Sequence, residues 1–207
     1  MRLDLSGPAG LLEAIIDEGS SPPRAAVVLG HPHPQHGGTM HTKGVYQAAK
    51  GLVRIGCSVL RFNFRGVGRS EGEFDKGEGE MADFRSALDF MAGRYPNVPL
   101  WAGGFSFGSW IALETGAADP RVSALIAIAP PVKREGYTWD ATLASTKPKF
   151  FVQGDLDELC ALKDLWAFYG QLKEPKEMVV IDGGSHLFEG KATEVGEALE
   201  DLLGDYE

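Results

Sequence analysis

Two serines of this sequence lie in a G-x-S-x-G pattern, in which a glycine on each side leaves room for a sharp turn. The two patterns are Gly68-Arg69-Ser70-Glu71-Gly72 and Gly104-Phe105-Ser106-Phe107-Gly108. A serine in a strained turn between a buried strand and a helix presents its hydroxyl as a nucleophile. Because the pattern occurs twice, only its surroundings distinguish the two serines.

Ser106 has the surroundings that a nucleophile requires. It follows an apolar segment at residues 98–103 and precedes a segment of good helix formers at residues 109–114. The N-terminus of such a helix brings its positive dipole end close to the reacting oxygen. Ser70 instead precedes a run of glutamates, aspartate and glycines, which we interpret as a solvated loop. We therefore predict Ser106 as the nucleophile.

A serine hydroxyl needs a base to remove its proton, and the base needs an acid to hold its tautomer. Four of the five histidines lie between residues 31 and 41, whereas His186 stands alone in a glycine-rich turn before the last helix. We predict His186 as the base. Asp155 and Asp157 follow a predicted strand between the serine and the histidine. Either position fits the chain order Ser, Asp, His.

The early histidines also offer imidazoles for a metal ion. We predict no metal site, because Pro32 and Pro34, which alternate with His31 and His33, force an extended backbone that points the two rings in different directions. No H-E-x-x-H motif or paired-cysteine site is present in the sequence either. We expect one or two of these histidines to pack beneath the loop as hydrogen-bonding supports.

Strand-like and helix-like segments that would position these residues alternate along the chain, which predicts a mostly parallel sheet with helices on both faces. The predicted strands are residues 11–17, 24–30, 57–63, 99–104, 122–129, 149–154 and 177–181. The predicted helices are residues 43–55, 80–95, 106–116, 158–171 and 187–203. Gly19 and the prolines at 22 and 23 suggest a hairpin between the first two strands.

Length and composition predict one globular domain spanning residues 1–207, with 43% hydrophobic and 24% charged residues. The net charge of −9 disfavours nucleic acid and anionic lipid as partners. No stretch approaches the roughly 18 apolar residues of a membrane helix, so we expect a cytoplasmic protein. Cys57 and Cys160 are expected to be reduced, partly buried thiols. Assembly into a homo-oligomer stays open.

Two further motifs follow early strands, Leu29-Gly30-His31-Pro32-His33-Pro34 and Arg61-Phe62-Asn63-Phe64-Arg65-Gly66-Val67-Gly68-Arg69-Ser70. With the serine, acid and histidine candidates, they make the chain resemble the α/β-hydrolase superfamily over nearly its full length. The resemblance is to compact dienelactone-hydrolase-like and small bacterial serine esterase-like members. It implies a single-domain α/β-hydrolase fold. Residues 130–148 are too few for a substantial cap domain.

The resemblance also implies roles for particular residues. In such families the acid lies three residues after the glycine that closes its strand, which favours Asp157. The oxyanion hole would use the backbone N–H groups of Phe107 and His33, although a rigid turn without a catalytic donor is the alternative at His33. Dienelactone hydrolases have cysteine as their nucleophile, so the serine at position 106 argues against that chemistry.

The predicted function is a serine hydrolase that cleaves ester or related acyl bonds of small molecules through an acyl-enzyme, without a cofactor. Phe105, Tyr137 and Trp139 are predicted to form an apolar wall that binds substrate, the alternative being packing at the edge of the core. Two other functions remain open. One is a non-catalytic binding protein of the same fold, and the other is an acyltransferase or thioesterase that uses the same three residues.

Overall fold

Eight strands form one sheet in the computed structural model, which describes residues 1–206. In chain order the strands are β1 (Arg2–Gly7), β2 (Gly10–Asp17), β3 (Ala26–Gly30), β4 (Ser58–Phe62), β5 (Leu100–Phe105), β6 (Val122–Ile128), β7 (Lys149–Gly154) and β8 (Lys176–Ile181). Their order across the sheet is β1-β2-β4-β3-β5-β6-β7-β8.

Neighbouring strands from β4 to β8 are parallel, and β1 and β2 extend the sheet as an antiparallel pair at one edge. All residues of β3, β4, β5 and β7 are buried, as expected for parallel strands covered on both faces. Because the strands are parallel, the loops that follow β3, β5, β7 and β8 emerge at one edge of the sheet. The candidates His33, Ser106, Asp157 and His186 lie on these loops.

The predicted hairpin between the first two strands is wrong. β2 pairs with β1 and β4, whereas β3 lies between β4 and β5. Burial explains this difference, because alternate residues of β2 are only half buried and every residue of β3 is buried. A strand with two apolar faces needs a central position. The sequence analysis also missed β1, which joins β2 through a tight turn at Pro8 and Ala9.

Residues 1–206 contain six α-helices: α1 (Lys43–Arg54), α2 (Glu78–Arg94), α3 (Phe107–Ala118), α4 (Asp140–Ala144), α5 (Leu162–Tyr169) and α6 (Ala192–Leu203). A short 3-10 helix spans Pro34–His36. The apolar residues of α1 and α6 pack into a core on one face of the sheet. Those of α2, α3 and α5 pack into a second core on the other face. The predicted α/β architecture with helices on both faces is confirmed.

Two predicted helices are shorter than the sequence pattern suggested. The helix predicted at 158–171 begins at Leu162, because the backbone N–H groups of Leu159 and Cys160 turn toward the Asp157 carboxylate. The helix predicted at 187–203 begins at Ala192, since Phe188 has a φ of 53° and interrupts any helix there. In both places the first residues of the predicted helix belong to a loop instead, and these two loops contain Asp157 and His186.

Between β6 and β7, residues 129–148 contain the five-residue helix α4 and no cap domain. Cys57 and Cys160 are buried and unbonded, and burial raises the pKa of each thiol to about 11. Across residues 1–206, no helix has the length and apolar character needed to cross a membrane.

Candidate active site

Ser106 lies in a sharp turn between β5 and α3. Its φ of 53° and ψ of −119° are rare for a residue with a side chain, so the turn stores backbone strain. The Ser106 N–H donates to the carbonyl of Ile128 at the end of β6, at 2.8 Å, which ties the turn to the neighbouring strand. The hydroxyl is therefore presented above the carboxyl edge of the sheet.

Two glycines make this turn sterically feasible. A Cβ at Gly104 would stand 2.1 Å from the carbonyl oxygen of Gly108. A Cβ at Gly108 would stand 2.4 Å from the carbonyl carbon of Gly30. Both distances are shorter than any real carbon contact, so the first turn of α3 packs directly on the backbone of β3 and β5. The close packing explains why glycines flank Ser106 at two residues on either side.

His186 lies in the loop between β8 and α6 and is almost fully buried. Its Nε2 is 2.8 Å from Ser106 Oγ, and its Nδ1 is 2.9 Å from Asp157 Oδ2. The backbone N–H of His186 donates to the Glu158 carboxylate at 3.0 Å. The imidazole is thus held between a hydroxyl and a carboxylate, 80 and 29 residues away in sequence.

Asp157, and not Asp155, is the carboxylate that contacts His186. Asp157 is buried, and its Oδ1 accepts the N–H groups of Leu159 at 2.9 Å and Cys160 at 2.8 Å. These bonds orient the carboxylate toward the imidazole. Asp155 has a buried carboxylate oxygen without a hydrogen-bond partner among residues 1–206.

Gln153, the residue before the last of β7, is a site residue that the sequence analysis missed. Its amide donates to Asp157 Oδ2 at 2.9 Å and to the carbonyl of Cys160 at 2.9 Å. The amide therefore holds both the carboxylate and the turn that follows it. The signal in the sequence was a glutamine at the end of an otherwise apolar strand, because a buried amide needs polar partners.

The backbone N–H groups of Phe107 and His33 make no hydrogen bond within the described part of the chain. Phe107 begins α3, where the first N–H groups have no acceptor inside the helix. Both residues line the same cleft as Ser106. Free donors beside a serine hydroxyl are the arrangement that stabilises a negatively charged oxygen.

His31 is fully buried and links two chain segments beneath the cleft. Its Nε2 accepts the N–H of Phe64 at 3.0 Å, and its Nδ1–H donates to the carbonyl of Pro32 at 2.6 Å. Burial lowers the pKa of His31 to about 4, so the ring is neutral at pH 7. The prediction that an early histidine supports the loop through hydrogen bonds is confirmed.

The other early histidines do not form a metal site with it. His33 stacks on His36 with ring centroids 4.3 Å apart, and the His41 side chain is exposed. Among the residues described, no three His, Cys, Asp or Glu side chains are grouped in a way that could hold a metal ion.

An open cleft of about 560 Å³ lies over Ser106 and His186. Its aromatic wall consists of Phe107 and Tyr137, and the Tyr137 ring stacks on Trp110 with centroids 3.9 Å apart. The remaining lining comes from the two histidines at 33 and 36, the loop at residues 131–136, and Leu159.

Two of the three residues predicted for the substrate wall lie elsewhere. The Phe105 side chain is fully buried on the other face of the sheet, where it packs against Gly44 and Phe188. Phe105 is the last residue of β5, whereas Phe107 lies beyond the turn at Ser106 and begins α3, where it packs into the core on the opposite face. Trp139 is also buried and packs on Phe168. Tyr137 alone of the three lines the cleft.

The prediction of a solvated loop at Ser70 is correct for most of the residues that follow it and wrong for the serine itself. Ser70 is buried, and its hydroxyl donates to the carbonyl of Asn63 at 2.7 Å and accepts the N–H of Glu13 at 2.9 Å. It ties the loop after β4 to β2. The second G-x-S-x-G pattern is thus a structural turn. Of the glutamates after it, Glu71, Glu73 and Glu78 are exposed, whereas Glu80 is buried.

Comparisons with known proteins show the family and the fold of this chain. The family model of serine aminopeptidase, S33, matches residues 21–151. An uncharacterised protein from Rickettsia prowazekii is 37% identical over 98% of this chain and 88% of its own length. The structure of an α/β serine hydrolase homologue from Coxiella burnetii is 39% identical with a TM-score of 0.89, covering 98% of this chain and 97% of that one.

A third protein, an α/β serine hydrolase without a lid from Xanthomonas campestris, is 33% identical with a TM-score of 0.87, and the match covers 97% of this chain and 92% of that one. The absence of a lid in that structure matches the short connection between β6 and β7 here. The predicted resemblance to the α/β-hydrolase superfamily is confirmed, and the chain belongs to the serine aminopeptidase S33 family of α/β serine hydrolases.

Proposed function

We propose that this hydrolase cleaves carboxylic esters of small molecules, with Ser106 as nucleophile, His186 as base and Asp157 as the acid that orients the base. One observation carries the proposal. Hydrogen bonds of 2.9 and 2.8 Å connect Asp157 to His186 and His186 to Ser106 Oγ without a break. Ser106, at the end of this series, lines an open cleft. This arrangement supports catalysis over a non-catalytic binding role.

The reaction follows from the positions of the atoms. His186 Nε2 takes the proton of Ser106 Oγ as the oxygen attacks the ester carbonyl, and Asp157 stabilises the resulting imidazolium. The carbonyl oxygen gains negative charge beside the free N–H groups of Phe107 and His33. The imidazolium then gives its proton to the departing alcohol, which leaves an acyl-enzyme. Water repeats these steps, releases the acid and restores the serine.

The cleft supports hydrolysis over transfer to a second organic acceptor. It is open to solvent and no cap covers it, so water reaches the acyl-enzyme freely. We expect short or extended acyl groups to be the better substrates, lying along Phe107 and Tyr137. Macromolecular substrates such as nucleic acid do not fit the net charge of −9. The two buried free thiols fit a reducing compartment such as the cytoplasm.

The proposal is tested by labelling with a fluorophosphonate probe, which reacts with activated serines. Wild-type protein should be labelled, and Ser106→Ala should lose both the label and ester hydrolysis, with kcat reduced by more than about a thousandfold. The reason is that no other hydroxyl is hydrogen-bonded to His186 in the described chain.

Ser70→Ala is the matched control, because it alters the second copy of the motif. It should keep the label, although loss of its two hydrogen bonds lowers the free energy of unfolding by about 1–3 kcal/mol. Labelling that survives Ser106→Ala would contradict the proposed nucleophile. A series of esters with increasing acyl length tests the open cleft, and a strong preference for the longest chains would contradict it.

A further inference from the structure

The loop at residues 131–137 brings two positive charges to the cleft. Lys133 and Arg134 both line it, and both side chains are exposed. Neither makes an ion pair or a side-chain hydrogen bond within residues 1–206. The charges are therefore available to a ligand.

Free arginines are uncommon elsewhere in this chain. Six arginines are paired with carboxylates, namely Arg54, Arg61, Arg65, Arg69, Arg94 and Arg121. The surplus of acidic over basic residues makes such pairing easy, since the net charge is −9. Arg134, which has no carboxylate partner within residues 1–206, departs from that pattern at the mouth of the candidate active site, and Lys133 adds a second charge beside it.

His33 adds a hydrogen-bond donor on the same cleft. Burial, with the nearby His36 and Arg134, lowers the pKa of His33 to about 4, so its ring is neutral at pH 7. Its Nδ1 accepts the N–H of Gln35 at 3.2 Å, which places the ring proton on Nε2. That N–H has no acceptor among the residues described.

Two other groups at this end of the cleft bear on its charge. Burial raises the pKa of Tyr137 to about 12, so its hydroxyl stays neutral and does not repel an anion. Glu135 also lines the cleft and is exposed. Its carboxylate offsets one of the two cations, so the loop keeps one positive charge in excess.

We propose that the preferred substrates are esters that carry a carboxylate, which lies against Lys133 and Arg134 and accepts the Nε2–H of His33 while Ser106 attacks the ester carbonyl. This inference rests on the proposed ester hydrolysis and deepens it by naming a substrate class. The carboxylate belongs either to the acyl group or to the alcohol, and both cases use the same recognition chemistry.

The test compares kcat/KM for matched pairs of anionic and neutral esters. The acyl-side pair is para-nitrophenyl hydrogen adipate and para-nitrophenyl heptanoate, and the alcohol-side pair is para-acetoxybenzoate and its methyl ester. In at least one pair, the ratio of anionic to neutral kcat/KM should fall about tenfold when Lys133→Gln and Arg134→Gln are combined. The pair that responds identifies which side of the ester carries the carboxylate.

Two further variants sharpen the result. Glu135→Gln should raise the same ratio, because it removes the one negative charge of the loop. Arg2→Gln removes a positive charge from β1, at the opposite edge of the sheet, and should leave the ratio unchanged. Added salt should reduce the ratio in wild type, since screening weakens interactions between exposed charges.

The outcomes separate this inference from the proposed function. The anionic preference alone would be overturned if neutral esters are cleaved normally but the ratio of anionic to neutral kcat/KM does not change. This result would have to hold for both ester pairs, in the double variant and in Glu135→Gln. Absence of both ester cleavage and fluorophosphonate labelling in wild type would overturn the proposed function and this inference with it.

Discussion

At the scale of single residues, the carboxylate of Asp157 is the most constrained group of the site. Two backbone N–H groups donate to its Oδ1, and the Gln153 amide donates to its Oδ2. His186 Nδ1 is also hydrogen-bonded to Oδ2. The proton on Nδ1 thereby leaves Nε2 free to accept the proton of Ser106. The Asp157 carboxylate therefore fixes the histidine tautomer that has its proton on Nδ1.

Asp157→Asn should lower kcat on the order of 1,000- to 10,000-fold, because an amide donates to Nδ1 and moves the imidazole proton to Nε2. Steady-state hydrolysis of a short acyl ester measures the effect, and unfolding by urea shows whether the variant remains folded. Asp155→Asn is the matched control and should keep a kcat near that of wild type, since Asp155 does not contact His186. A larger loss in Asp155→Asn than in Asp157→Asn would contradict the assignment.

At the scale of elements, the turn between β5 and α3 depends on close packing of backbones. β3, β5 and the first turn of α3 meet at Gly30, Gly104 and Gly108, where a side chain on either of the last two would collide with main-chain atoms. The same packing brings the loop after β3, with its free N–H at His33, next to Ser106. The close contact of α3 with β3 and β5 therefore accounts both for the strained backbone of Ser106 and for the position of the His33 N–H.

Gly108→Ala should lower the free energy of unfolding by about 3 kcal/mol, since its Cβ would press on the backbone of β3. Any folded protein should also show a reduced kcat, because the shift moves the N–H groups of Phe107 and His33 apart. Urea unfolding and ester hydrolysis measure the two effects.

Gly93→Ala provides the comparison within a helix. Gly93 is exposed near the end of α2, and a Cβ there meets nothing within 4 Å. This variant should be more stable by about 0.5–1 kcal/mol, because alanine favours the helix over glycine. Equal effects of the two substitutions would show that close packing at Gly108 is unimportant.

At the scale of the whole molecule, the buried His31 links stability to pH. Its folded-state pKa of about 4 lies below the ordinary value of 6.5, so the unfolded chain binds a proton in this interval and the folded chain does not. Protonation then favours the unfolded state. Stability is fully present above about pH 6.5 and falls as the pH drops toward 4, by about 3 kcal/mol in total from this group.

His31→Asn should be less stable than wild type at pH 7, because asparagine cannot make both hydrogen bonds of the imidazole. The difference should narrow by up to about 3 kcal/mol between pH 7 and pH 4, since the variant lacks the titrating ring. Urea unfolding at several pH values measures the difference in the free energy of unfolding at pH 7 and its change toward pH 4. His41→Asn, at an exposed position, is the control, and a difference for His31→Asn that stays constant with pH would contradict the linkage.

Local pattern was enough to predict the alternating strands and helices, the resemblance to α/β-hydrolases, and the candidates Ser106 and His186. These features depend on residues that are neighbours in sequence, such as the apolar strand before Ser106 and the helix formers after it. Each segment therefore indicates its own secondary structure from its residue pattern. The order of the loops along the chain follows from the order of these segments.

Only the tertiary structure decided the features that depend on distant partners. It places Asp157, held by Gln153, against His186, buries Ser70 against Asn63, and turns Phe105 to the far face of the sheet. It also pairs β2 with β4. Strand order, burial and hydrogen-bond partners are set by contacts between segments tens of residues apart, which a local pattern does not encode.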